Sequence, residues 1–210
     1  MRPLDWYFDF VSGYAYLQHE GLARFPGDVE IRYHPVLFAG LLAHHGHKGP
    51  AEIAEKRRFT YRQWVWQAAR QGIPFKLPPA HPFNPLRALR LALALDRDPE
   101  VVATIFRFIW RDGEDIEDEA SWRRLSAQLG VDDAEARIGD PAVKAELRAA
   151  TEQAAERGLF GVPTMVVGKE LFWGADATEM VLDFLAEPGM FEGGEMARAS
   201  ALPVGTARKL

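Results

Sequence analysis

The chain contains no cysteine in its 210 residues. That removes disulfide scaffolds, thiolate metal sites and cysteine nucleophiles together. It also lacks any uncharged apolar run long enough to span a bilayer. The opening Met1-Arg2-Pro3-Leu4-Asp5 has none of the apolar core of a secretion signal, so a cytoplasmic location is the expectation. Positive charge is in deficit: 25 Lys and Arg against 30 Asp and Glu give a net charge of −5. Nucleic acid and anionic membrane surfaces would repel such a protein, and neither is expected as a partner. Internal repeats and low-complexity blocks are absent too. What is present is core material, 48% hydrophobic and 11% aromatic. This suits one ordinary domain, or a core domain with one substantial insertion.

Leu4 to Val11 alternates and is rich in aromatics, which predicts a strand. Ser12-Gly13 breaks it, and Tyr14 to Phe25 carries a helical apolar stripe with Ser12 as N-cap. After the turn Pro26-Gly27-Asp28, Val29 to His34 alternates as a second strand. The next 120 or so positions show only helical patterns, over Ile53–Gln71, Pro85–Leu95, Pro99–Arg111, Glu119–Leu129 and Asp140–Arg157. Thr164–Val167 and Glu170–Trp173 then form a hairpin across Gly168-Lys169, and a helix from Ala175 or Asp176 to Ala186 closes the pattern. The fold class is therefore α/β, βαβ-ββα around a large all-helical insertion. Residues 1–36 and 158–187 form the core domain, 37–157 the inserted lobe, and 188–210 a tail ordered only in part. A cleft between lobes is the natural place for a ligand.

Three positions could carry chemistry. Ser12 sits at a strand-to-helix junction, where it is either a plain N-cap or a hydroxyl in a field that favours anions. Val162-Pro163 opens a strand, either as a simple edge residue or as a cis bond that presents the Val162 backbone to an extended peptide. Asp176 either caps a helix or grips an ammonium group, with amides nearby to take a carboxylate. His44, His45 and His47 fit no zinc spacing and have no carboxylate close in sequence, so no metal is expected. Lys56-Arg57-Arg58 reads as a solvated helix face, though a cation there can also meet a ligand carboxylate. His81-Pro82-Phe83-Asn84-Pro85 is an extended entry to the next helix, and the tryptophans at 64, 66, 110 and 122 read as helix packing.

Four segments, in this order, resemble the 2-hydroxychromene-2-carboxylate isomerase family, relatives of kappa-class glutathione transferases and of the bacterial DsbA-type, thioredoxin-like oxidoreductases. They are Trp6-Tyr7-Phe8-Asp9-Phe10-Val11-Ser12-Gly13-Tyr14-Ala15-Tyr16, Pro82 to Arg90, Gly161-Val162-Pro163-Thr164-Met165-Val166-Val167, and Phe172-Trp173-Gly174-Ala175-Asp176. The resemblance covers about residues 4–186. It implies a thioredoxin-like fold, a glutathione-dependent isomerase or transferase, and a homodimer. It makes Ser12 the serine that replaces the reactive cysteine of the oxidoreductases and faces the sulfur of glutathione. It implies that Val162, beside Pro163, pairs with the cysteinyl part and that Ala175 and Asp176 hold the γ-glutamyl end. It offers Lys56 as the family's glutathione-site lysine and sets His47 where the family has asparagine. The implied substrate is a small unsaturated, aromatic-derived carboxylate.

Two departures bear on this. The family has proline after the serine, and Gly13 in its place is expected to loosen the turn. The segment Leu41 to Pro50 also differs, so the chromene itself does not carry over as substrate. A dithiol oxidoreductase is excluded by the missing cysteines. A glutathione transferase remains as the near rival, and a non-catalytic module binding peptide along the Val162-Pro163 edge as the distant one. A serine hydrolase is disfavoured because Ser12-Gly13-Tyr14 lacks the flanking glycines of a nucleophile elbow.

Overall fold

The computed structural model describes residues 1–206. Four strands, β1 (Arg2–Phe8), β2 (Val29–Pro35), β3 (Thr164–Val167) and β4 (Glu170–Trp173), form one mixed sheet in the order β2-β1-β3-β4. β1 and β2 run parallel, whereas β3 is antiparallel to both β1 and β4, with Trp6 set between Tyr33 and Met165. Parallel neighbours need a crossover, supplied here by helix α1 (Gly13–Glu20). The other long connection, from β2 to β3, holds seven helices: α2 (Phe38–His45), α3 (Ala54–Gln71), α4 (Leu86–Ala94), α5 (Pro99–Trp110), α6 (Glu119–Gln128), α7 (Ala134–Gly139) and α8 (Pro141–Glu156). Helix α9 (Thr178–Ala186) follows β4, and α10 (Gly194–Ser200) lies in the tail. The α/β thioredoxin-like order read from the sequence is thus present.

Strand alternation divides the sheet's side chains between two cores. Leu4, Trp6, Phe8, Met165 and Phe172 join one cluster with α1, α4, α5, α6 and α9. Tyr7 and Val166 face the other side, against Leu41 of α2 and Ala154 and Ala155 of α8. The first core is dominated by rings, with Trp6 stacked on Phe8 at 4.5 Å and Phe106 of α5 meeting Phe10 at 4.7 Å. Burying each such side chain contributes about 1.5–3 kcal/mol.

Several element boundaries differ from the sequence reading. β1 stops at Phe8 rather than Val11, because the Asp9 carboxylate turns back to accept the Val11 N–H at 3.0 Å. α1 ends at Glu20, where Gly21 interrupts the apolar stripe, and Leu22–Arg24 continue as a 3₁₀ turn. α2 and α7 were not foreseen. The closing helix splits into a 3₁₀ turn, Ala175–Ala177, and α9. In the tail, a 3₁₀ turn Pro188–Phe191 and α10 are formed, and Phe191 packs on Phe184 at 5.2 Å. The tail's residues 207–210 lie outside the described residues.

Candidate active site at the start of helix α1

Ser12 is 8% exposed and takes the N-cap position of α1 in extended backbone. Its Oγ accepts the Ala15 N–H at 3.2 Å. A hydroxyl that accepts through a lone pair keeps its own proton, so capping leaves Ser12 able to donate to a second, anionic partner. The two readings of Ser12 are compatible. The turn that carries it is held from below by Asp9, whose Oδ1 takes the Val11 N–H and whose Oδ2 takes the Phe38 N–H at 2.8 Å. Asp9 is fully buried, and that burial raises its pKa to about 7 against the opposing pull of the two amides.

Gly13 leaves room for a neighbouring ring. It is buried, and a Cβ built on it would lie 2.6 Å from Cδ2 of Trp64. The indole of α3 occupies the space a side chain would take. Trp64 is in turn stacked on Tyr61 at 5.1 Å and met edge-on by Tyr14, His81 and Trp110. Trp110 and Trp122 are packed as the sequence suggests. Trp66 is not: it is 57% exposed on the outer side of α3, with the Arg70 guanidinium 5.3 Å from its ring.

The register of β1 on β3 pairs Tyr7 with Thr164, so the chain leaving β1 and the chain entering β3 meet at one end of the sheet. Val162-Pro163 stands there, and its peptide bond is cis. Neither backbone group of Val162 has a hydrogen-bond partner among the described residues. Pro163 C=O accepts the Gly174 N–H at 2.9 Å, which brings in the third segment. Gly174 has φ of 99°, and a Cβ on it would lie 2.4 Å from Asp176 Oδ1, so only glycine fits. Gln18 of α1 locks this segment to the helix. It accepts from Trp6 Nε1 at 2.8 Å and donates to Gly174 C=O at 3.1 Å and to Thr178 Oγ1 at 3.0 Å.

Asp176 does not cap α9, whose start has no side-chain cap. Its carboxylate is exposed and forms no ion pair or hydrogen bond among the described residues. It nonetheless faces α1: burial first, and the Asp176 charge second, push the Tyr14 phenol above its usual range. Val162-Pro163 and Gly174 are thus joined at the end of the sheet from which Ser12 and α1 depart, and Asp176 lies near enough to Tyr14, in the first turn of α1, to act on its phenol. The ring of His47 lies 5.9 Å from that of His45, which bonds Leu159 C=O at 2.9 Å, and no hydrogen bond or ion pair among the described residues joins His47 to Ser12, Val162 or Asp176. Lys56 is exposed in the first turn of α3, one turn ahead of Thr60, and forms no hydrogen bond or ion pair with the other candidate residues among the described residues. Among the described residues no group of three or more His, Asp or Glu is arranged to hold a metal.

Sequence reasoning missed the support behind Ser12. His81 Nε2 bonds Val11 C=O at 2.8 Å, and its Nδ1 lies 2.6 Å from the Tyr61 hydroxyl. A carbonyl can only accept, so Nε2 carries the proton of the neutral ring, and the single Tyr61 proton is shared between Nδ1 and the His81 C=O, 2.9 Å away. Burial pushes the His81 pKa down, in keeping with this neutral tautomer. The proline-rich setting of His81 hid this role, and Asp9 and Gln18 gave no signal because their partners are distant in sequence.

With this geometry in view, comparison with known proteins is informative. The model of the DSBA-like thioredoxin domain matches residues 3–186. A 2-hydroxychromene-2-carboxylate isomerase of Sphingobium xenophagum is 30% identical over 194 residues, covering 89% of this chain and 99% of the relative. Glutathione S-transferase kappa 2 of Caenorhabditis elegans is also 30% identical, over 209 residues, covering 89% and 93%. A solved structure of a 2-hydroxychromene-2-carboxylate isomerase superposes with a TM-score of 0.79 at 25% identity, covering 95% of this chain and 98% of that one.

Proposed function

Because the chain belongs to the DSBA-like thioredoxin domain family, with isomerases and glutathione transferases as its relatives, we propose that it is a glutathione-dependent isomerase in which Ser12 stabilises the thiolate. The observation that carries this is the Ser12 hydroxyl, which accepts from Ala15 and keeps its proton for an anion at the start of α1. The unpaired Val162 backbone suits the cysteinyl amide of an extended peptide. The free carboxylate of Asp176 suits an ammonium group, and Ala175 beside it completes the γ-glutamyl end. Lys56 and His47 are proposed as outer contacts to the glutathione carboxylates and backbone.

The magnitudes are sufficient. A free thiol with pKa near 8.5 is only about 3% thiolate at pH 7. Lowering that pKa by about two units needs about 2.7 kcal/mol. A hydrogen bond to a charged group supplies about 1.5–3 kcal/mol, and a helix N-terminus adds about 0.3–1. Ser12 acts as neither nucleophile nor base. The thiolate adds to an activated double bond of an unsaturated, aromatic-derived carboxylate. Rotation about the new single bond follows, and loss of the thiolate restores the double bond in the other geometry. Release of the adduct instead would make the same site a transferase, the reading that the kappa-class relative favours.

Calorimetric titration with reduced glutathione, on wild type and Ser12→Ala, tests the proposal. Saturable binding is expected, with proton release that the substitution diminishes. Turnover of the unsaturated, aromatic-derived carboxylate that the wild type isomerises should fall by most of its value in Ser12→Ala while the fold is kept. Absence of glutathione binding at millimolar concentration, or near-full turnover by Ser12→Ala, would overturn it. Accumulation of a thioether would convert the isomerase into a transferase.

A further inference from the structure

Helix α8 places Lys144, Leu147 and Arg148 at spacings of three and four residues, hence on one face. That face meets Leu37 at the start of α2, and Leu86 and Arg90, one turn apart on α4. Between the three helices lies a cavity of about 530 Å³. Leu37, Leu86 and Leu147 supply apolar lining, and Arg90 of α4 and Lys144 and Arg148 of α8 supply cations, with Glu152 as the only carboxylate in the lining and His44 also lining it. Three cations around one cavity stand out in a chain whose net charge is −5.

Neighbouring charges on the same helices are already paired: Arg87 with Glu119 and Glu135, and Arg97 with Glu146. Arg90, Lys144 and Arg148 form no ion pair among the described residues. Moreover, Arg90 Nε is buried and has no hydrogen-bond partner. The rest of the Arg90 guanidinium also has no ion pair or hydrogen bond among the described residues, and Arg90 lines the cavity, so an anion from outside the chain would supply the missing partner. The planar fork of arginine matches a carboxylate through two parallel bonds, and lysine adds charge without that geometry.

We propose that this cavity is an organic-acid site. The carboxylate sits on Arg90, with Lys144 and Arg148 flanking it, and an apolar body of one or two rings lies against Leu37, Leu86 and Leu147. None of Ser12, Lys56, Val162, Ala175 or Asp176 lines it, and the proposal stands without the glutathione reading.

The test is a calorimetric titration of the full chain, without glutathione, using 1-naphthoate and its neutral counterpart 1-naphthamide. Naphthoate binds saturably and at least about tenfold more tightly than the amide, the loss expected when a charged hydrogen-bond partner is removed. Arg90→Met abolishes that difference, weakening naphthoate about tenfold and leaving the amide unchanged. Should Arg90→Met not fold, the exposed pair Lys144→Ala and Arg148→Ala serves in its place and also reduces naphthoate affinity. Equal affinity for acid and amide, no binding of naphthoate at millimolar concentration, or full affinity in a folded variant would overturn the proposal. Reduced glutathione is titrated into the same variants, and undiminished binding there separates the fate of this site from that of Ser12.

Discussion

Asp9 has no exposed surface, yet both its oxygens accept backbone N–H groups, from Val11 and from Phe38. Its pKa is about 7 in the fold because burial penalises the charge. In the unfolded chain an aspartate titrates near 3.9. The folded pKa is thus raised, so Asp9 contributes fully below about pH 4, and that contribution is lost as pH rises through about 7. Three units of difference amount to about 4 kcal/mol at most. Urea denaturation across pH 4 to 8 should therefore show a declining stability that Asp9→Asn flattens. A variant with the wild-type slope would show that Asp9 is ionised in the fold at all these pH values.

At the scale of elements, α1 and α3 meet through Gly13 and Trp64, with the indole 2.6 Å from any Cβ at position 13. Gly13→Pro should cost about 1–3 kcal/mol through overpacking, and Trp64→Leu about 2–3 through the cavity it leaves. Combined, the two should be less damaging than their sum, with a coupling of about 0.5–3 kcal/mol in denaturation followed by circular dichroism. Strict additivity would separate the two residues. Elements with their own local signals were legible in the sequence. α1 has the Ser12 cap, α5 has Asp98 before Pro99, α8 has Asp140 before Pro141, and the β3-β4 hairpin has its Gly168-Lys169 turn. Helix α2 was not legible, because Leu37 gives it no side-chain cap. Its first amides are taken by distant residues instead, Leu37 N–H by Thr151 and Phe38 N–H by Asp9. The site divides in the same way. Ser12 as the cap of α1 could be read from its position, whereas the role proposed for Asp176 comes from resemblance. The bonds of Gln18 to Gly174, of Asp9 to Phe38 and of His81 to Tyr61 and Val11 could not, since each joins residues 20 to more than 150 positions apart.

For the molecule as a whole, the larger core does not respect the division between sheet and inserted helices. Leu4, Trp6 and Met165 of the sheet share one continuous cluster with Leu89, Ile105, Trp122 and Leu125. Buried bonds cross the same division, Trp110 Nε1 donating to Phe10 C=O at 2.8 Å and Tyr16 to Pro74 C=O at 2.7 Å. Unfolding should therefore be a single transition, with coincident midpoints by far-ultraviolet circular dichroism and by tryptophan fluorescence. Two separated transitions would mean that the inserted helices fold as a unit of their own.

The contact of Trp64 with Gly13 also constrains history. Proline at position 13 and this indole compete for one space, so a lineage carrying both would bear the overpacking of the pair. The least costly passage between the two states has glycine at position 13 and a smaller residue at position 64, so sterics favours one order of substitutions over the other.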